Sequence, residues 1–252
     1  MNYDKHGSAA ATLDPAELDR FARFASEWWD ANGKFRTLHL IGPARLAFLR
    51  DAMLEHFASA KASAPPLEGL ATLDVGCGGG LVCEPLVRLG ATVTGIDPAA
   101  DNIEAARRHA AGQGLSIDYQ CKRVEDLAAE GCSFDALVCL EVVEHVPNPG
   151  AFLKTCAALV RPGGLMLLST INRTLKAYLL AIIGAEYVLR WLPIGTHQWE
   201  RFVTPEELTR YLQAAGLAAP VLKGLVYNPL ADSWSLGADT DVNYFAAAAK
   251  PA

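Results

Sequence analysis

From residue 70 onward, short apolar runs alternate with amphipathic stretches. Runs at 72–75, 92–96, 117–121, 134–140 and 164–170 read as buried strands. Between them, 81–88, 101–112, 124–130 and 149–160 carry apolar residues at helical spacing. Strand and helix in strict alternation predict a parallel sheet covered by helices on both faces. Thr204-Pro205-Glu206-Glu207 is a capping box with proline at the first helical position, so a helix of about ten residues follows, and Gly216 ends it. Two further strands near 221–226 and 241–248 complete a sheet of seven, mostly parallel, of α/β Rossmann-like class.

The pattern changes outside that core. Over 14–30, Leu18, Phe21, Phe24, Trp28 and Trp29 recur at helical spacing, and a second helix is predicted over 43–60 with Pro43 in its first turn. Pro65-Pro66 closes this part, dividing the chain into an N-terminal helical extension or cap, 1–66, and a main domain, 67–252. Inside the main domain lies an apolar insertion, 172–201. Its stretch 175–192 holds only Lys176, Glu186 and Arg190 as charges. At 100° per residue these fall within ~80° of arc, leaving the rest of the cylinder apolar. Three charges and Gly184 argue against a spanning helix. A helix lying in a membrane interface fits the pattern; so does a core helix or a dimer contact.

The turn after the first strand narrows the chemistry. Leu73-Asp74-Val75-Gly76-Cys77-Gly78-Gly79-Gly80 is followed, 21 residues past Gly76, by Gly95-Ile96-Asp97. Glycines let the backbone turn tightly against a ligand, and a carboxylate ending the next strand sits where a ribose diol binds. A dinucleotide site wants G-x-G-x-x-G, but the third glycine's position is Leu81, and Glu84 is an anion poorly placed for phosphates. Asp74 is placed instead to support a cationic ligand. The turn resembles motif I of the class I S-adenosylmethionine methyltransferases. A glycine turn without a ligand and an unusual dinucleotide site are the alternatives.

After the fourth strand comes Leu140-Glu141-Val142-Val143-Glu144-His145-Val146-Pro147. If a helical turn starts there, Glu141, Glu144 and His145 share one face at the cofactor edge of the sheet. Oxygen-rich ligation with one imidazole suits magnesium or manganese, and a cation there would draw in both oxygens of a catechol and acidify the phenol. Similar strings occur in methyltransferases that use no metal, so His145, His39 or His197 acting as general base stays open.

Composition adds exclusions. At 252 residues and 51% apolar, there is ample core for a single catalytic domain. A net charge of -6 without a long basic run argues against nucleic acid, and it offers no overall attraction to anionic lipid. Locally, Arg173, Lys176, Arg190 and Arg201 outnumber Glu186 and Glu200. Residues 1–15 carry no apolar signal core, and six cysteines without a C-x-x-C pair point to reduced thiols in the cytoplasm. Cys77 reads as a small packing residue.

Beyond about residue 19, the chain resembles the ubiquinone-biosynthesis O-methyltransferases. Carrying the resemblance are Ser26-Glu27-Trp28-Trp29-Asp30, Leu38-His39, Pro43-x-Arg45-Leu46, the glycine turn, and Ala91-Thr92-Val93-Thr94-Gly95-x-Asp97. It continues through Glu144-His145-Val146-Pro147, Asn172-Arg173, Gly184-Ala185-Glu186-Tyr187, Gly195-Thr196-His197, Tyr227-Asn228-Pro229 and Asp241-Val242-Asn243-Tyr244. The resemblance implies a class I fold and S-adenosylmethionine bound by Arg45, Gly76, Gly78, Asp97 and Leu140. It also implies a divalent cation, magnesium by preference, on Glu141, Glu144 and His145, with Glu144 and His145 catalytic. The implied substrate is a lipophilic polyprenyl catechol. The 175–192 segment would meet the inner membrane surface, with other ubiquinone-biosynthesis enzymes as further partners. Arg123-Val124 stands before Glu125-Asp126-Leu127 where many relatives have Asp-Ala, so adenine would rely on the Val124 backbone.

Overall fold

The computed structural model describes residues 24–57, 65–179, 199–228, 231 and 233–252. Its eight-stranded sheet runs β3-β2-β1-β4-β5-β8-β6-β7. The strands are β1 (Ala71–Val75), β2 (Thr92–Asp97), β3 (Asp118–Cys121), β4 (Phe134–Leu140), β5 (Val160–Ile171), β6 (Val221–Asn228), β7 (Ser233–Gly237) and β8 (Asn243–Ala249). Strands β1 to β5 pair in parallel, whereas β8 is antiparallel to both β5 and β6, and β7 to β6. Register places Leu73 beside Leu137 and Asp74 beside Val138, so the turn leaving β1 and the end of β4 lie at the same edge.

The strand missed by the seven-strand expectation is β7. Its Ser-Trp-Ser-Leu-Gly alternates with period two, but it is short and three of its five residues are serine or glycine, the composition of a loop. The parallel strands are buried on both faces, and one of those faces is covered by helices Pro149–Leu159 and Pro205–Ala214. Helices Arg36–Phe57, Cys83–Arg88 and Ala100–Gly112 cover the other. Asn148 and Thr204 cap their helices through side-chain oxygens that accept from Ala151 and Glu207 backbone N–H, as the sequence leads one to expect at the second site.

Two N-terminal expectations need correction. The predicted 43–60 helix begins earlier, at Arg36, and leaves Pro43 two turns inside it. That interior proline forfeits a backbone hydrogen bond. Tertiary packing offsets the loss: Leu49 and Met53 are fully buried, Phe48 stacks on Phe245 at 4.7 Å, and each such side chain contributes about 2 kcal/mol. The 14–30 helix is a short 3-10 turn, Ala25–Glu27, followed by further turns, with 14–23 outside the described residues. Within the described part, Trp28 and Trp29 belong to a strap that folds over the glycine turn.

Candidate cofactor and active site

Three glycines between β1 and helix Cys83–Arg88 adopt positive φ: 72° at Gly76, 53° at Gly78 and 88° at Gly80. Each is also crowded. A methyl at Gly76 would lie 2.6 Å from Val142, and one at Gly78 would lie 2.5 Å from the Trp28 ring. Both the conformation and the space therefore demand glycine. Gly76 and Cys77 donate backbone N–H to the Ile96 carbonyl, which ties the turn to the end of β2.

Asp97 closes β2 beside that turn. Its Oδ2 accepts from Gly78 N at 3.0 Å, and its Oδ1 accepts from Ala99 N at 2.8 Å and Asn102 Nδ2 at 3.2 Å. Burial raises the Asp97 pKa, and these three donors oppose that rise. On β1, Asp74 is buried and lifted to about 6 by desolvation, although the Cys83 thiol donates to it at 3.2 Å. Arg45, on helix Arg36–Phe57, faces the fields of Glu141 and Asp74, and burial lowers its pKa. Its Nε and Nη2 are buried without a partner. Those two nitrogens form one edge of the guanidinium, the fork that meets a carboxylate in bidentate fashion.

Beyond β4 the chain turns sharply. Glu141 has φ of 56°, the only positive value off glycine among the described residues. Three bonds to Ser169 hold it: its N–H is shared between the Ser169 carbonyl and hydroxyl, each at 3.1 Å, and the Ser169 hydroxyl donates to its Oε1 at 2.8 Å. A 3-10 turn, Val143–His145, follows and buries Glu144. Burial, and then the neighbouring Glu141, push the Glu144 pKa well above the usual carboxylate range. Thr170 donates to Glu144 Oε2, while Oε1 is buried with no partner.

A methyltransferase domain model matches residues 46–219. The ubiquinone biosynthesis O-methyltransferase of Chelativorans sp. (strain BNC1) is 55% identical over 240 residues, 95% of each chain. That of Rhodopseudomonas palustris (strain BisB18) is 52% identical over 98% of this chain and 97% of its own. The chain belongs to this family. Among solved structures, the magnesium protoporphyrin IX methyltransferase of Synechocystis PCC 6803 with bound SAH superposes with TM-score 0.63 at 19% identity, covering 94% of this chain and 95% of that one. At that identity the likeness shows the class I fold alone.

With the fold of this methyltransferase fixed, the predicted residues can be placed. Gly78 bonds to Asp97 and Gly76 to the Ile96 carbonyl beside it, Leu140 ends the adjacent strand, and Arg45 feels the charges of Glu141 and Asp74. Val124 is buried at the start of helix Val124–Ala129, where Arg123 and Asp126 are bound to each other in a capping box. His39 Nε2 is spent on the Trp28 carbonyl at 2.8 Å, and His197 lies outside the described residues.

The three metal-ligand candidates are not brought onto one helical face. Glu141 stands in a left-handed conformation before the 3-10 turn, so Glu141, Glu144 and His145 do not share a helical face. Among the described residues no three His, Cys, Asp or Glu side chains are arranged to hold a metal ion. The two glutamates do meet, and the bare buried Glu144 oxygen is the kind of group a cation would satisfy.

Of the apolar insertion, 180–198 lie outside the described residues. The flanks place Leu175, Tyr178, Leu179 and Trp199 in solvent. Two of the local cations are committed elsewhere: Arg173 pairs with Glu207, and Lys176 with Asp239 and Asp241. No helix among the described residues is long and apolar enough to cross a membrane. Sequence reasoning missed Thr170, Ser169 and Asn102. Their roles arise from contacts across strands or over 74 residues, which local spacing does not encode.

Proposed function

We propose that this methyltransferase methylates a phenolic oxygen of a polyprenylated catechol, the ubiquinone-forming chemistry that its relatives' names carry. A polyprenyl hydroxyphenol and a demethylubiquinol are both substrates of this reading. One contact carries it: Val142, between Glu141 and Glu144, packs against Gly76, so the acidic turn sits directly on the cofactor turn. S-adenosylmethionine supplies a methyl on a positively charged sulfur, which becomes a neutral thioether when an oxygen takes the methyl.

The chain's residues do the rest. Asp97 accepts the ribose diol, the glycine turn gives the ligand backbone contact, and the unpartnered Arg45 edge takes the carboxylate. Asp74 places negative charge beneath the turn, which favours a cationic ligand over a neutral one. The phenol ring lies along the Glu141–Glu144 turn, its oxygen in line with the methyl, and orientation supplies most of the rate. His145, in the same turn, receives the phenol proton. Glu141 and Glu144 would hold a divalent cation, which would acidify the phenol and relieve the repulsion between the two carboxylates.

The exposed apolar flanks of the insertion support a lipophilic tail entering from a membrane surface, with the enzyme peripheral to the inner membrane. Formation of a methyl ether from a short-chain prenyl catechol and S-adenosylmethionine tests the reading.

A further inference from the structure

The strap that crosses the glycine turn contains a hydrogen-bond relay aimed at Asp97. Trp28 is buried, stacked on Phe35 at 3.8 Å, and its indole N–H donates to Asn102 Oδ1 at 2.9 Å. Asn102, itself buried, donates its amide N–H to Asp97 Oδ1. Beside it, Trp29 donates to the Gly79 carbonyl at 2.9 Å and stacks on His109, which bonds to the buried Glu84. The strap is thus pinned on both sides of the turn.

The indole nitrogen decides how the relay is oriented. Trp can only donate, so the oxygen of the Asn102 carboxamide must face Trp28 and its nitrogen must face Asp97. The carboxylate asks for the same orientation from its own side, so Trp28 and Asp97 fix the amide together, and losing the indole N–H leaves Asp97 as its one anchor among these contacts. An ionised carboxylate has about four acceptor sites. Ala99 and Asn102 occupy Oδ1 and Gly78 occupies one site on Oδ2, so the open site lies on Oδ2.

We propose that Asn102 and Trp28 are positioning residues for the nucleoside diol: Trp28 sets the Asn102 amide, and Asn102 turns the open acceptor site of Asp97 toward the ribose. The inference rests on the reading that Asp97 takes the ribose. The strap is therefore part of the cofactor site rather than a cover over it.

The test compares binding of S-adenosylhomocysteine with its 2′,3′-dideoxy analogue by calorimetry, so the catechol plays no part. In the parent chain the diol ligand binds ~100-fold tighter, the scale of hydrogen bonds to a charged group. Asn102→Leu keeps a similar size and removes the donor to Asp97 without adding charge; the preference for the diol falls at least tenfold, on the order of one such bond. Trp28→Phe keeps an aromatic ring against Phe35 but removes the N–H together with the five-membered ring, and the preference again falls several-fold. Because the ratio is taken within each variant, a general loss of stability cancels. A diol preference unchanged in both variants overturns the relay. No preference in the parent chain instead overturns the role of Asp97, and methyl transfer to the catechol would still test the proposed reaction separately.

Discussion

Thr170 on β5 holds Glu144 by one oxygen, at 2.8 Å, and leaves the other oxygen buried and bare. Burial and Glu141 both disfavour ionisation of that carboxylate. A divalent cation would reverse the balance, so chelation should abolish methyl transfer and magnesium should restore it. Glu144→Ala should reproduce the chelated state, lowering kcat by ~100-fold or more, within the range for losing such electrostatic assistance, with cofactor binding retained. Steady-state assays in EDTA check this. Undiminished turnover would return the pair to a structural role.

Asp74 should make the ligand-free protein less stable as pH rises. Its folded pKa, about 6, lies above the ordinary 3.8, so the folded state holds the proton more tightly. Between pH 4 and 6 the unfolded chain loses that proton first, and stability falls, by about 3 kcal/mol in total from this group. Asp74→Asn should flatten that part of the profile. Urea unfolding across the range reads it, and a parallel profile for parent and variant would exclude Asp74 as the cause.

Gly80 sits with φ of 88° directly under the Tyr119 hydroxyl, which is buried and unpaired. Tyr119→Phe should be neutral or slightly stabilising, because it removes a buried polar group that has no partner. Gly80→Ala should cost upward of about 1 kcal/mol from conformation alone, plus a clash. The double variant should recover the clash portion. Thermal unfolding of the three variants separates the two contributions, and a fully additive result would show that Tyr119 does not meet the new methyl.

Leu175 and Leu179 are 72% and 49% exposed at the entrance to the insertion. If this flank enters a bilayer, the protein should co-float with liposomes, and charging Leu179 together with Ile183 should release it. Since Arg173 and Lys176 are already paired, raising salt should weaken flotation little. Unchanged flotation of the charged variant would assign the segment to another contact.

Legibility followed the range of the interactions. The β1 turn, Asp97 and the parallel order were readable because glycine conformation and short continuous apolar runs are local properties. Thr204 and Glu207 were readable for the same reason. The Glu141–His145 string was visible, but its geometry was not: Ser169 and Thr170, one strand away, hold Glu141 and Glu144 respectively, and Glu141 stands in a left-handed conformation outside the helix that its spacing suggests. Trp28 was visible as an aromatic in a periodic stretch, yet its partner Asn102 is 74 residues distant. Strand β7 lost out because Ser233, Ser235 and Gly237 outweigh Trp234 and Leu236 in composition.

The most direct test of the account is the position of the transferred methyl. S-adenosylmethionine carrying a 13C-labelled methyl is incubated with a short-chain prenyl catechol and magnesium, and the product is examined by NMR. The account predicts a labelled methoxyl on the ring and loss of one phenolic proton. A labelled methyl on ring carbon, or no product despite tight cofactor binding, would contradict it.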